Sequence, residues 1–569
     1  MQHLLRFLKP YRKELILGPF FKLLEAVFEL IVPVVMAKII DNGIAQNDAA
    51  YVGKMCALIV LLGVCGLSFA LTCQYFAAKC AFGFGTDLRS ALYRHINTLS
   101  HTEIDRFGTS TLINRITADA SAAQTGVNMF IRLAVRAPFL IIGAIVMALL
   151  IDVKLSLIFL IIAPIVGLLL YFVMTRTVPM YRKNQQKLDD IARHTGENLD
   201  GMRVIRAFSR QKQEKDEFAQ ECADLERSML AVGRISAILN PLTFMIMNLG
   251  IVAVIWFGGA QINTGSLTQG DLTAFANYMT QILLAMVVMA NLIVILTKGQ
   301  ASALRVHDVL STPSSMTEGS AKPDTDAEEV LSFSHVDFAY AGAGDNALDD
   351  ISFTLKKGQT LGIIGGTGSG KSTLASLISR CYDATSGEIR VFGKPVQDYD
   401  TKELRRQIGV VPQKAVLFSG TIAENLRWAD ADADDGQMQK AMEIAQAAEF
   451  VGKLQYGVNT HLVQGGRNLS GGQKQRLTIA RALTGKPSIL ILDDSMSALD
   501  YATDLALRTA LKTHCSDMTI IMISQRATSL MDADHILVMD DGRCAGQGTH
   551  EELLEHCEEY REIYHSQMT

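Results

Sequence analysis

The sequence contains no CxxC pair. Its nine cysteines (Cys56, Cys65, Cys73, Cys80, Cys222, Cys381, Cys515, Cys544 and Cys557) are scattered, which excludes a zinc or dithiol site of the usual spacing and fits a reduced, cytosol-facing compartment. There is no excess of basic charge either: the formal net charge is −5, so no nucleic-acid partner is expected. The opening MQHLLRFLKPYRKELIL resembles the start of a signal peptide but lacks a small-residue cleavage pattern. Its apolar run continues through VFELIVPVVMAKII and reads as an uncleaved first span behind a short amphipathic helix. No internal repeat is present, which leaves one membrane half and one soluble half.

With 569 residues, two or three domains are expected. Mean hydropathy is positive while 20% of residues are charged, a mixture that implies apolar segments joined to a water-soluble part. Six stretches, about 15–39, 54–79, 128–151, 155–174, 237–261 and 272–297, are long and apolar enough to cross a bilayer. Six spans put both ends on one side. The segments around 83–127 and 175–235 carry Arg89, Arg94, Arg115, Arg182, Lys183, Arg193, Arg203, Arg206 and Arg210, whereas DNGIAQNDAA, IDVK and NTGSLTQGD are nearly free of basic residues. The positive-inside rule therefore places the long loops, both termini and the soluble half in the cytoplasm of a plasma-membrane protein. Amphipathic spacing at Leu188, Ile191, Leu199, Met202, Ile205 and Phe208 predicts that the spans continue as helices into the cytoplasm.

Residues 1–310 thus form an all-α polytopic membrane domain. The Ser-, Thr-, Pro- and acid-rich segment 311–328 reads as an exposed linker. From 329 to 569, short runs of β-formers (TLGIIGG, IGVVPQ, SILILDD, TIIMISQ) alternate with helical patterns, which predicts an α/β domain with a largely parallel sheet.

Two motifs in that domain face phosphate. In GIIGGTGSGKST a strand runs into Gly365 and a helix opens at Lys371. Gly365, Gly366, Thr367, Gly368, Ser369 and Gly370 form a P-loop whose N–H groups cradle phosphate; Lys371 reaches the β- and γ-phosphates, and Ser372, followed by Thr373, ligates magnesium. In NLSGGQKQRLTIARAL, Ser470, Gly471, Gly472 and Gln473 open a second helix with a hydroxyl donor.

The order of GGTGSGKST, VVPQ, LSGGQ, ILILDD, SALD and ISQR behind six spans resembles the half-transporters of the ATP-binding-cassette (ABC) exporter family, along essentially the whole chain. The resemblance implies a P-loop NTPase cassette acting as a translocating ATPase, with ATP and Mg2+ as cofactors. It also implies a dimer in which each ATP lies between the Walker loop of one half and the LSGGQ of the other. By that resemblance Tyr340 stacks on adenine, Gln413 contacts magnesium and the membrane half, and Asp493 holds magnesium through water. The segments near 101–112 and 200–210 become coupling helices.

Two positions depart from the family pattern. Asp494 stands where a glutamate usually polarises the attacking water; the loss of one methylene withdraws the carboxylate by roughly 1.5 Å, and a base must lie about 3 Å from its proton or act through another water. Gln525 stands where a histidine usually senses the γ-phosphate, and Gln carries neither proton nor positive charge. Both losses fall on one nucleotide site while LSGGQ is intact. That pattern resembles the degenerate-site subunit of a heterodimeric multidrug-type exporter, whose LSGGQ completes a competent site on a different chain. The cargo is expected to be hydrophobic or amphiphilic, taken from the cytoplasm or inner leaflet. A homodimeric lipid or peptide exporter, an exporter-shaped importer and an ATP-binding regulatory subunit are the alternatives; the chain has no N-terminal cysteine-peptidase domain of the kind peptide exporters carry.

Within the spans, Lys22, Glu25 and Glu29 share one helix face, as do Arg132 and Arg136. They either pair to fix the bundle or contact substrate from a watery cavity. Met279, Met286 and Met289 form a stripe on the last span, either as packing or as an adaptable apolar surface.

Overall fold

A computed structural model describes residues 6–568. Of the amphipathic helix expected ahead of the first span, residues 1–5 lie outside this range, and Arg6–Tyr11 form a 3-10 turn. Two compact units divide the chain: Met1–His95 with Ser110–Ser311, and Ile96–Thr109 with Thr312–Thr569.

The first unit is helical. Its long helices are Arg12–Lys38, Ala49–Ile96, Thr109–Ile151, Val153–Asp200, Gln211–Asn263 and Gln269–Ser311. Among the described residues the last five are long and apolar enough to cross a membrane. The first has the length, 27 residues, but carries Lys22, Glu25 and Glu29 within its apolar stretch. The fourth helix, at 48 residues, runs about 70 Å at 1.5 Å per residue, more than twice a hydrocarbon core of about 30 Å, so the spans extend well into the cytoplasm. Leu61, Leu67, Leu168 and Trp256 lie on exposed faces of these helices, suited to lipid. Where helices meet, small residues permit close approach: a Cβ on Gly299 would lie 3.2 Å from the Cα of Gly126.

Two findings in this unit bear on how the spans pack. The third helix contains π-turns at Arg115–Asp119 and Phe130–Ala134. Charged residues are paired: Lys22 Nζ lies 2.6 Å from Glu25 Oε2, and Arg136 donates to Glu29 Oε2 at 2.7 Å. Of the methionine stripe, Met279 is buried in the core and Met286 packs against it, which favours packing.

The second unit is α/β. Its strands are β1 (Glu329–Phe338), β2 (Leu348–Lys356), β3 (Thr360–Gly365), β4 (Ser386–Val391), β5 (Lys394–Pro395), β6 (Ile408–Val411), β7 (Gly420–Thr421), β8 (His461–Leu462), β9 (Ile489–Asp493), β10 (Thr519–Ile523), β11 (His535–Asp540) and β12 (Arg543–Gly548). The main sheet has the order β12-β11-β3-β10-β9-β6. All its pairings are parallel except β11 with β12. Every residue of β10 is buried, as expected for a strand covered on both faces. The edge strand β12 alternates between exposed and half-buried positions until it ends at the buried Gly548. A second, antiparallel sheet, β2-β1-β4-β5, packs Phe333, Phe353 and Ile389 into a core shared with Ile363, Ile491 and Ile521 of the main sheet.

The segment expected as a linker is bonded to the cassette: Gly319 N donates to Tyr399 O and Ala321 N to Asp398 O. Arg380, fully buried, donates to Asp383, to Tyr399 O and to Thr317 O of that segment. Arg380→Ala removes a buried charge together with three acceptors' partner, so the cassette is expected to lose about 3 kcal/mol of stability. Scanning calorimetry of the full chain checks this as a lowered cassette transition with nucleotide absent.

Candidate functional site

The C-terminal ends of β3 and β9 and the loop after β10 carry the Gly365–Ser372 turn, Asp493, Asp494 and Gln525. The turn between β3 and the helix Lys371–Ile378 needs glycine at Gly365, Gly368 and Gly370, with φ of 157°, 88° and 93°. A Cβ on Gly365 would meet Met539 O at 2.0 Å. Gly366, Thr367 and Gly368 are exposed at the crest, and Ser369 and Lys371 are buried beneath it. Lys371 Nζ donates to Gly365 O at 2.9 Å, to Gly366 O and to Ser369 Oγ at 3.2 Å. Burial lowers the pKa of Lys371 against the pull of Asp494 and Asp493.

The expected magnesium residues are brought together: Ser372 Oγ donates to Asp493 Oδ1 at 3.1 Å. Burial pushes the Asp493 carboxyl up, and the neighbouring Asp494 adds to that. A desolvated carboxylate beside a hydroxyl, and a desolvated ammonium under an exposed glycine-rich turn, are the donor set that suits a triphosphate with a divalent cation. The residues present therefore fit Mg-ATP.

Asp494 has a backbone φ of 43°, a left-handed conformation that Asp tolerates better than most residues. Its N–H donates to Ile523 O at 3.0 Å, and its Oδ2 accepts from Gln413 Nε2 at 3.1 Å. Gln525 is exposed. Its carbonyl accepts from Gln567 Nε2 at 2.7 Å, and Gln567 Oε1 accepts from Ala527 N at 2.8 Å. The C-terminal helix Glu558–Met568 thereby fixes this loop, a tertiary contact with no local sequence pattern.

Tyr340 follows β1, is 38% exposed, and shares a hydrogen bond of 3.0 Å with Thr373 Oγ1. Its ring meets Tyr382 edge-on at 5.4 Å. The Tyr382 hydroxyl donates to Asp105 on the short helix His101–Phe107, so the aromatic group is tied to one of the segments expected to couple. Sequence reasoning missed Tyr382; no pattern in the chain relates it to residue 105.

Ser470 caps the helix Gly471–Thr484. Its Oγ accepts from Gln473 N, and its own N–H donates to Gln473 Oε1, a reciprocal cap. Ser470 and Gly471 are exposed and Gly472 is half-buried. Among the described residues no hydrogen bond joins this cap to the Gly365–Ser372 turn.

Residues 15–286 match the ABC transporter transmembrane region and residues 348–497 match the ABC transporter domain. The chain is 39% identical over 567 residues to an uncharacterized ABC transporter ATP-binding protein of Mycobacterium tuberculosis, covering 98% of this chain and 97% of that one. It is 31% identical over 506 residues to the ATP-dependent lipid A-core flippase of Hahella chejuensis, covering 88% and 86%. A bacterial Atm1-family ABC exporter solved with ATP bound superimposes with a TM-score of 0.84 at 23% identity, over 98% of this chain and 99% of that one. The chain belongs to the ABC transporter family, with the transmembrane region and the ATP-binding domain fused in one polypeptide that has the fold of the ABC exporters.

Proposed function

We propose that the chain is the degenerate-site subunit of a heterodimeric exporter that moves amphiphilic or hydrophobic compounds out of the cytoplasm or inner leaflet. One observation carries this reading: Asp494 and Gln525 stand where the family pattern has glutamate and histidine, while the Ser470–Gln473 cap is fully formed. In this reading Gly365–Thr373 and Tyr340 hold ATP, and Ser372, Asp493 and Gln413 hold Mg2+. Bound ATP supplies a phosphoanhydride whose hydrolysis drives transport. Asp494, held by Gln413 and too short to reach a water in line, leaves that site slow. Ser470 and the N–H groups behind it serve the ATP on the partner's Walker loop. The tip of the fourth and fifth helices adds support: Leu199, Val204 and Phe208 are exposed around the short helix Met202–Ala207, and an apolar tip of this kind calls for a covering surface such as a second cassette.

Lys371→Ala tests the asymmetry. In the assembled transporter it is expected to weaken nucleotide binding at one of two sites and to leave substantial ATPase at the other. Complete loss of ATPase would contradict two unequal sites. A homodimeric lipid exporter is the second reading, favoured by the name of the lipid A-core flippase relative. Capture of the tagged chain from its native membrane separates the two: the heterodimer reading expects a second half-transporter carrying Glu and His at the positions corresponding to Asp494 and Gln525.

A further inference from the structure

We propose that the cytoplasmic extension of the fourth and fifth helices holds a divalent transition-metal cation, Zn2+ by its donor set, on His194, Glu214 and Glu217. These residues serve neither the nucleotide site nor the export reading, and the inference is independent of both.

The two helices run antiparallel outside the bilayer and are joined through the short helix Met202–Ala207. Polar contacts fix their register: Ser228 Oγ donates to Asn184 Oδ1, and Lys187 Nζ donates to Asp224 O at 3.1 Å. Two turns nearer the tip, His194 of the fourth helix stands between two carboxylates of the fifth. Its Nε2 lies 3.1 Å from Glu214 Oε2 and its Nδ1 lies 3.1 Å from Glu221 Oε2. Glu217 shares their helix face, one turn from each. One ligand atom from each of His194, Glu214 and Glu217 lies within 4.8 Å of the others.

The chemistry of the group calls for a positive charge. A neutral imidazole has one N–H, so it donates to Glu214 or to Glu221 but not to both. The second contact needs a proton or a metal ion between nitrogen and oxygen. Glu221 supplies what a metal-ligating histidine requires, a carboxylate on the far ring nitrogen that fixes the tautomer and aims Nε2 at the ligand position. Glu217 is exposed and has no hydrogen-bond or ion-pair partner among the described residues. Among those residues no lysine or arginine pairs with any of the three glutamates, and the neighbouring Arg193 is engaged by Asp190 and Glu197. Like charges one turn apart destabilise a helix, and a single imidazolium offsets only part of three carboxylates. A divalent cation offsets more.

The geometry admits one. A tetrahedral Zn2+ about 2.0–2.2 Å from its donors sets them about 3.4 Å apart. The His194–Glu214 separation of 3.1 Å is within a few tenths of that, and rotation of the exposed Glu217 side chain closes the set, with water in the fourth position. An imidazole nitrogen disfavours Mg2+ and Ca2+, and among transition metals Zn2+ binds more tightly than Mn2+. The ion ties the two helices together within two turns of Met202–Ala207, so that they carry this tip as one rigid piece.

The test uses the transporter assembled as in cells, freed of any affinity tag, stripped with chelator and kept without nucleotide. Titration calorimetry with ZnCl2, and in parallel with MgCl2, is the readout, and altered chains isolate this site from any other. His194→Gln and Glu217→Gln are each expected to remove one Zn2+ per copy of this chain. Glu221→Gln should keep the stoichiometry and weaken binding about 10–100-fold, the usual effect of losing an orienting carboxylate. Because Glu217 is exposed and unpartnered, Glu217→Gln should melt like the unaltered protein in the absence of metal, while Zn2+ raises the melting temperature of the unaltered protein only. Unchanged Zn2+ stoichiometry in either His194→Gln or Glu217→Gln overturns the inference and leaves a protonated His194 bridging Glu214 and Glu221. Binding of Mg2+ as tight as that of Zn2+, kept in His194→Gln and lost in Glu217→Gln, overturns it in favour of a plain acidic site. Neither result bears on which compound is exported, since the readout is binding alone.

Discussion

Ser470→Ala in this chain is expected to lower ATP turnover of the proposed heterodimer by about 10²–10³, the loss typical of one missing donor to developing charge. The hydroxyl also caps the helix Gly471–Thr484 by accepting from Gln473 N. Its removal therefore costs about 1 kcal/mol of local stability as well, and a melting curve run beside the assay separates the two effects. The decisive arm combines Ser470→Ala with Asp494→Glu and Gln525→His. In the proposed heterodimer those two residues belong to this chain's own Walker site and Ser470 to the other, so restoring them should not rescue the defect. Near-normal turnover of Ser470→Ala alone would contradict the assignment of sites.

The second large effect is a gain. The chain with Asp494→Glu and Gln525→His, purified without a partner, is expected to hydrolyse ATP about 10²-fold faster than the unaltered chain, at the low end of what a positioned general base contributes. A homodimer of the restored chain would hold two complete sites, because the Ser470 cap is already formed. The gain has a structural cost. Position 494 has a φ of 43°, which Asp adopts more readily than Glu, and Gln413 loses its 3.1 Å partner at the shorter carboxylate. The restored chain should therefore be slightly less stable while more active, read as a small fall in its melting temperature alongside the rise in turnover.

Much of this site was legible because its residues act through local sequence. The P-loop requires glycines at fixed positions between a strand and a helix, and Gly365, Gly368 and Gly370 adopt the positive φ values that such a turn demands. The runs TLGIIG, ILILD and TIIMI announced β3, β9 and β10 because central parallel strands are buried on both faces and need no alternation. The charged residues of the spans were visible, but their sorting was not. Arg136 and Glu29 are 107 residues apart, and only packing of the third helix on the first decides that they pair and that Arg132 does not. The π-turn at Phe130–Ala134 has no residue signature, and neither has the hold of Gln567 on Gln525, since both arise from tertiary context. Composition marked 311–328 as a linker; the backbone bonds of Gly319 and Ala321 to the cassette depend on a surface that composition does not describe.

The central claim is that this chain binds nucleotide at a site of its own that hydrolyses poorly. It is tested most directly by measuring bound Mg-ATP and turnover together on the purified chain without a partner. The account predicts near-stoichiometric binding with turnover at most about a hundredth of that of the assembled transporter. Turnover comparable to the assembled transporter, and abolished by Asp494→Asn, would contradict it.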